Sequence, residues 1–501
     1  MKRLWISFVV IFWLIMIGFL IYKRNPLQKS IEPPLSLIKT EKGSKENWMG
    51  IYLNDQKIGY SMIVRQTKPS GVRFVFNRSS MRLPVMGVTQ EVTTITDYTT
   101  NKNYVLQDFY FELISREHSL KAKGKVSETR RSLGGKERKL LLDISSAGET
   151  QQQTIPLEEE IYLPDALEPL IVQKGLKPGT HYTFKAFDPT TFNLAPIKIT
   201  VIGNETCEIK KESYQATKLQ VTFLGLNSDV WVDSEGNTLK EEGPMGMTTI
   251  KEDKEEALKM SPTQGSFDIL TAFSVPVEGE IKKPREISYL KIQIDGIPLE
   301  TGEKISLGDD RQKIVQLQPL VLEINREEAE ALDVSEIPVS IHSEALQSSP
   351  LIQSNDERIR SKALEIVDGE KNAFKVSERL VDWVYKNISK RPTISIPSAL
   401  EVLETLEGDC NEHATLFTAL GRSLGLPTKI CVGLVYQEGR FYYHAWNLVY
   451  VGKWIAVDPT FGQLLADASH IKLLEGELSK QVELLSLIGH LKVKIYESSP
   501  N

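Results

Sequence analysis

The hydrophobic period of this chain changes once along its length, and that change divides it. From Trp48 to about residue 260 apolar side chains alternate with polar ones, as in WMGIYLNDQKIGYSMIVRQ, VRFVFNRSSMRL, QEVTTITDYTT and YVLQDFYFELIS. Period two is the signature of strands with one buried face. Asn54-Asp55, between the first two runs, is a hairpin signal, because both residue types tolerate a positive φ. Further strand-like runs follow near KLLLDI, HYTFKAF, IKITVIG, TKLQVTFLG and DVWVD. Residues 47–260 are therefore expected to form one antiparallel β-rich domain, either curled or packed on another layer. Residues 261–345, punctuated by Pro262, Pro276 and Pro284, carry two more strand-like runs and read as a small β module or linker region. From Asn355 the period becomes helical. Ile359, Ala363, Ile366 and Val367 share one face, and Val376, Leu380, Val381, Trp383, Val384 and Ile388 share another. Ser398-x-x-Glu401 reads as a capping box opening a short helix. The expected class is α+β, with the mixed domain at 346–480 and a tail at 481–501.

Composition narrows the class further. Hydrophobic residues make up 41% of the 501, which suffices for packed cores. The net charge is −6 and no basic stripe occurs, which argues against nucleic acid as a partner. Three cysteines are too few for a disulfide framework. At the start, Leu4 to Tyr22 carries no charge, and nineteen residues of helix span about 29 Å, close to the thickness of a bilayer core. The run is too long for an ordinary signal-peptide core and no small-x-small cleavage site follows it. Residues 1–24 are accordingly read as a transmembrane signal-anchor and 25–46, with Pro26, Pro33 and Pro34, as a stalk. Lysines and arginines flank both ends, so the charge rule does not set the orientation. A signal-anchor with its whole body on the C-terminal side most simply exports that body, so a periplasmic or other extracytoplasmic location is expected.

The chemistry concentrates in residues 408–460. Cys410 opens a run in which Ala414, Phe417, Leu420, Gly421 and Leu424 recur at helical spacing, ended by Gly425 and Pro427. A cysteine at a helix N-terminus faces backbone N–H groups and the positive end of the dipole, which favour a thiolate and can hold an oxyanion. A strand containing His444 follows, and then one ending at Asp458. If Val451-Gly452-Lys453 forms a three-residue hairpin loop, Tyr450 faces Trp454 and Trp446 faces Asp458. His444 then lies one diagonal step from Asp458, within reach of its carboxylate. A two-residue loop would turn Asp458 to the other face of the sheet. Thiol, base and orienting acid in this order suit nucleophilic catalysis.

Gly408-Asp409-Cys410, His444-Ala445-Trp446 and Trp454-x-x-x-Asp458-Pro459-Thr460 together resemble the transglutaminase-like domains, relatives of the papain-type cysteine hydrolases. The resemblance also takes in Arg422-x-x-Gly425-Leu426-Pro427 and Gly433, and covers roughly residues 355–475. An acidic residue often found after the His-Ala-Trp-x unit is replaced by Leu448, with Asn447 before it. The resemblance implies a Cys410–His444–Asp458 triad that forms an acyl-enzyme, then transfers the acyl group to water or to an amine. It implies a polypeptide or cell-wall peptide as substrate, with no cofactor.

Asp409, Asn411, Trp446 and Trp454 are candidates to line the substrate cleft. No metal site is expected: His413 makes a Cys-x-x-His half-site with Cys410, but no second pair has matching spacing. Cys431 and Cys207 read as core residues, and a Cys410–Cys431 bridge is conceivable. The competing reading is a membrane-anchored binding or assembly protein whose triad is vestigial and whose β-rich domain carries the function.

Overall fold

The computed structural model describes residues 45–500 apart from 86–87, 117, 131–135, 261–272, 299–306 and 329–334. The predicted anchor, Leu4 to Tyr22, lies outside the described residues, as does the stalk up to residue 44. Among the described residues no helix is long and apolar enough to cross a membrane. Glu46–Asn501 form one compact unit.

The alternating half builds a fifteen-stranded sheet. Eight strands, from Lys45–Leu53 to Glu149–Leu157, run outward in sequence order. The strand Met247–Glu252 then pairs with the first one, Ile51 opposite Thr249, and the order runs back to Ile161–Tyr162 at the far edge. The hairpin at Asn54-Asp55 forms with φ of 47° and 65°. Both are positive, which is what a two-residue turn matched to the strand twist requires.

Residues 277–325 supply four strands of a five-stranded sheet. The fifth is Lys492–Pro500, inserted between Val277–Glu278 and Ile287–Asp295. The stretch read as a C-terminal tail thus contains a strand. Its alternation is too short to announce one, since only Val493 and Ile495 of its apolar residues face the core.

The last third of the chain has the expected helices, Glu357–Val367 and Ala373–Asn387. They pack around the helix Cys410–Ser423 and against a four-stranded sheet ordered Trp454–Val457, Arg440–Tyr450, Thr428–Gln437, Ile471–Glu475. One hydrophobic core runs from the five-stranded sheet through these helices to the four-stranded sheet. A second core, under the first eight strands, takes in Leu351 and Ile396. The large sheet is therefore packed directly against the loops that lead to Cys410.

The capping box expected at Ser398 and Glu401 does not form. The Ser398 hydroxyl accepts from Gln353 Nε2 at 2.9 Å instead. The Glu401 carboxylate accepts from the Ser119 N–H at 3.1 Å and the Ser146 hydroxyl at 3.3 Å, both on the large sheet. Tertiary partners outcompete the local cap at this helix.

Candidate active site

A capping box does form one helix later, at the cysteine. The Asp409 carboxylate accepts from the Asn411 N–H at 2.9 Å, and the Glu412 carboxylate accepts from the Asp409 N–H at 2.8 Å. This box fixes where the Cys410 helix begins. Gly408 is required just before it, because a Cβ there would stand 2.3 Å from the Glu412 Cβ. Behind the helix, Asn447 Nδ2 donates to Ala414 O at 3.1 Å and to Thr418 Oγ1 at 2.8 Å. That buried amide, next to the position where an acidic residue was expected, ties the His444 strand to the Cys410 helix.

The strand register is the one that the three-residue loop demands. Tyr450 pairs with Trp454, and Asn447 with Val457. Asp458 follows directly, and His444 Nε2 lies 2.8 Å from its Oδ2. The Ala445 N–H lies near the Cys410 sulfur and favours its charged form, though burial outweighs it. Cys410 and His444 line the same cavity, of about 330 Å³, together with Asn411, Gly433, Tyr443 and Leu484. Because Nε2 is engaged by the carboxylate, Nδ1 is the ring atom left free of Asp458. Gly433 admits no side chain, since a Cβ would lie 2.0 Å from Ile471 O.

Asp458 is fully buried, and donors fill its whole acceptor capacity. Oδ1 accepts from the N–H groups of Thr460 at 2.7 Å and Phe461 at 3.0 Å. Oδ2 accepts from His444 and also from His470 Nε2 at 2.9 Å. A carboxylate has about four such sites. Burial alone would raise its pKa, but His444 and the His470 hydrogen bond outweigh it and hold Asp458 well below the usual carboxylate range. His444, Asp458 and His470 lie within 4.8 Å of one another, close enough to surround an ion. The Asp458 oxygens are already occupied by N–H donors, so these side chains form a hydrogen-bonded assembly.

Several expectations need correction. Trp446 does not line the cavity. It is buried behind it, stacked on His444 at 6.1 Å and edge-on to His470 at 5.2 Å. Trp454 packs with Tyr450 and beneath Lys429, also away from the cavity. Asp409 acts as the helix cap, while Asn411 does line the cavity. The Cys410 thiol is not lowered by its helix: burial, then the nearby Asp409 carboxylate, push it well above the ordinary thiol value. All three cysteines are free, so Cys410 and Cys431 are not bridged. His413 points Nδ1 back to Asp409 O at 2.6 Å, as a structural histidine does. His470 was missed altogether. It lies outside the recurrent motif, and no spacing rule links it to Asp458.

The family described as the Transglutaminase-like superfamily matches residues 360–459. No curated protein matches the chain. Among solved structures, one from Cytophaga hutchinsonii described as a candidate cysteine protease is 16% identical, covers 43% of this chain and 86% of that one, and has a TM-score of 0.30. A beta-barrel-like protein of a domain of unknown function, from Brucella abortus, is 10% identical, covers 42% of this chain and 98% of that one, and has a TM-score of 0.32. Over residues 360–459, the chain therefore carries a transglutaminase-like domain.

Proposed function

We propose that this protein carries out thiol-dependent acyl transfer on peptide or amide substrates, with Cys410 as nucleophile, His444 as base and Asp458 as the group that orients the base. The observation that supports this most directly is the engaged His444 Nε2, 2.8 Å from Asp458, in a ring that shares one cavity with Cys410. In the first step the thiol proton passes to His444 Nδ1 as the sulfur attacks the carbonyl carbon. The proton then goes to the departing amine, the C–N bond breaks, and a thioester remains. Water or an amine, deprotonated by the same nitrogen, attacks the thioester and releases the sulfur. Asn411 offers the cavity a side-chain amide that can donate to the developing oxyanion. Because burial raises the Cys410 thiol, proton transfer accompanies attack rather than preceding it.

The substrate class we propose is a polypeptide or cell-wall peptide. The location we propose is outside the cytoplasm, behind an anchor at Leu4 to Tyr22. The cavity wall of Val432, Tyr443, Leu484 and Ile488 is apolar and suits an uncharged side chain beside the scissile bond.

An acyl-type electrophilic probe tests the chemistry. It should label the wild-type chain at Cys410, leave Cys410→Ala unlabelled, and label His444→Ala at least a hundredfold more slowly. Labelling indifferent to His444 would favour the binding-protein reading. Protease added to cells with a permeabilised outer layer should digest the body. Full protection would overturn the location.

A further inference from the structure

We propose that His470 is a fixed imidazolium that positions Asp458 and, by balancing its charge, keeps the Cys410–His444 pair neutral in the resting protein. The proposal rests on the acyl-transfer reading of this site and assigns it a charge state.

The argument begins with what surrounds the two nitrogens of His470. Nε2 faces Asp458 Oδ2 at 2.9 Å. Nδ1 faces the Asp467 carbonyl oxygen at 3.1 Å and the Asp467 carboxylate at 3.4 Å. Every one of these partners is an acceptor without a proton. A neutral imidazole carries one N–H and would turn a bare lone pair on one of them. The fully buried ring meets both only when both nitrogens are protonated. The raised pKa of His470, where the two aspartates outweigh burial, agrees with this geometry.

The charged groups around the ring form an alternating line. Asp458 comes first, then His470, then Asp467, then Arg285, whose guanidinium lies 2.8 Å from Asp467. Arg311 donates to the main-chain oxygens of Ala466 and Asp467, with its own charge met by Glu327 at 2.7 Å. His444 closes the line on the cavity side, its ring 5.7 Å from that of His470. The aromatic rings of Trp446 and Phe461 complete the wall. From beyond Asp458, Lys390 and His413 also feel its charge. Asp458, His470, Asp467 and Arg285 cancel pairwise. An Asp458 with no second histidine would favour a protonated His444 and, with it, a thiolate. Here that attraction is already met by His470, so the neutral thiol is the resting form, and charge separates only during attack. A neutral resting thiol is less open to oxidation and alkylation, because the thiolate is the reactive species.

The test needs no substrate, so it can fail without the acyl-transfer reading failing. Iodoacetamide alkylation of Cys410 is followed against pH in the full chain and in His470→Gln, whose amide still donates to Asp458 but carries no charge. Unit charges 5.7 Å apart in an effective dielectric of about 20 alter a protonation equilibrium by about a hundredfold. The variant should therefore alkylate at least tenfold faster at pH 7, with about a hundredfold as the ceiling. An unchanged profile, even with turnover lost, would leave His470 as a mere prop and overturn the proposal. If the variant does not fold, nitrogen-15 spectra of histidine-labelled wild-type chain decide. His470 should show both ring nitrogens protonated at pH 8, and a neutral ring there overturns it.

Discussion

Replacing Asp458 by Asn tests the site most severely, and the structure indicates both the kinetic and the thermodynamic outcome. The carboxylate accepts four hydrogen bonds, two from backbone N–H groups and two from imidazoles. A carboxamide has one oxygen, which accepts at most two of them. If that oxygen keeps Thr460 and Phe461, the new NH₂ group faces His444 Nε2 and His470 Nε2. His444 must then accept at Nε2 and carry its proton on Nδ1, the nitrogen that the thiol needs. Turnover should fall by about 10⁴, the loss the analogous tautomer error causes in serine proteases. His470 meanwhile loses the nearer of its two counter-charges, with the Asp467 carboxylate left at 3.4 Å. Breaking a buried pair by removing one partner costs about 3–5 kcal/mol. At about 2 cal/mol/K of unfolding entropy per residue, a cooperative body of about 450 residues should lose about 3–5 °C in melting temperature. Turnover of a model peptide and melting followed by circular dichroism provide the two readings. Turnover within tenfold of wild type would refute the assignment of Asp458. Lost turnover with an unchanged melting temperature would refute the buried ion-pair argument alone.

Stability should depend on acid in a defined direction. Asp458 and Asp467 are both held below the ordinary carboxylate range, so the unfolded chain takes up protons first as pH falls. Their contribution is complete above about pH 5, where an unfolded aspartate is ionised, and is lost progressively as pH drops towards their folded values. Melting temperatures between pH 3 and 7 should fall on the acid side, less steeply in Asp458→Asn, and equal slopes would count against the assignment. Asn447→Ala removes the amide that bridges to Ala414 and Thr418, and should destabilise by about 1–3 kcal/mol in urea titrations, since it leaves buried groups unpaired. A loss under 0.5 kcal/mol would show that the bridge is replaced. Gly433→Ala would place a methyl group 2.0 Å from Ile471 O and 2.9 Å from Trp446 Cη2, pushing the cavity wall outward. It should cost about 1–3 kcal/mol as overpacking does, and it should slow alkylation of Cys410; a neutral variant would contradict the close approach.

Much of the site could be read before any tertiary contact was known, because its parts obey local rules. Cys410 stands where a helix must begin, and the loop length between Tyr450 and Trp454 decides which face Asp458 occupies. Strand register is exact: a slip of one residue turns every side chain over. The alternation that predicted a β-rich half, and the helical repeats from Ile359 to Ile388, depend on the same local periodicity. What the sequence left open depends on groups brought together from far apart. The Ser398 cap gave way to Gln353, and Glu401 turned to the large sheet, because tertiary partners compete with local ones on equal terms. The last strand, Lys492–Pro500, is too polar to announce itself and exists because Ile287–Asp295 offers an edge to pair with. Trp446 looked like a cleft residue but supports His444 from behind, since its position along the strand says nothing about which layer covers it. Arg285 is 173 residues from Asp458 in the chain, yet it neutralises Asp467 and so completes the line of charges through His470. Local periodicity determines where Cys410, His444 and Asp458 stand on their elements. The charge that those residues carry is decided by the fold, because Coulomb interaction depends on distance in space and on burial, and neither is written in the order of residues.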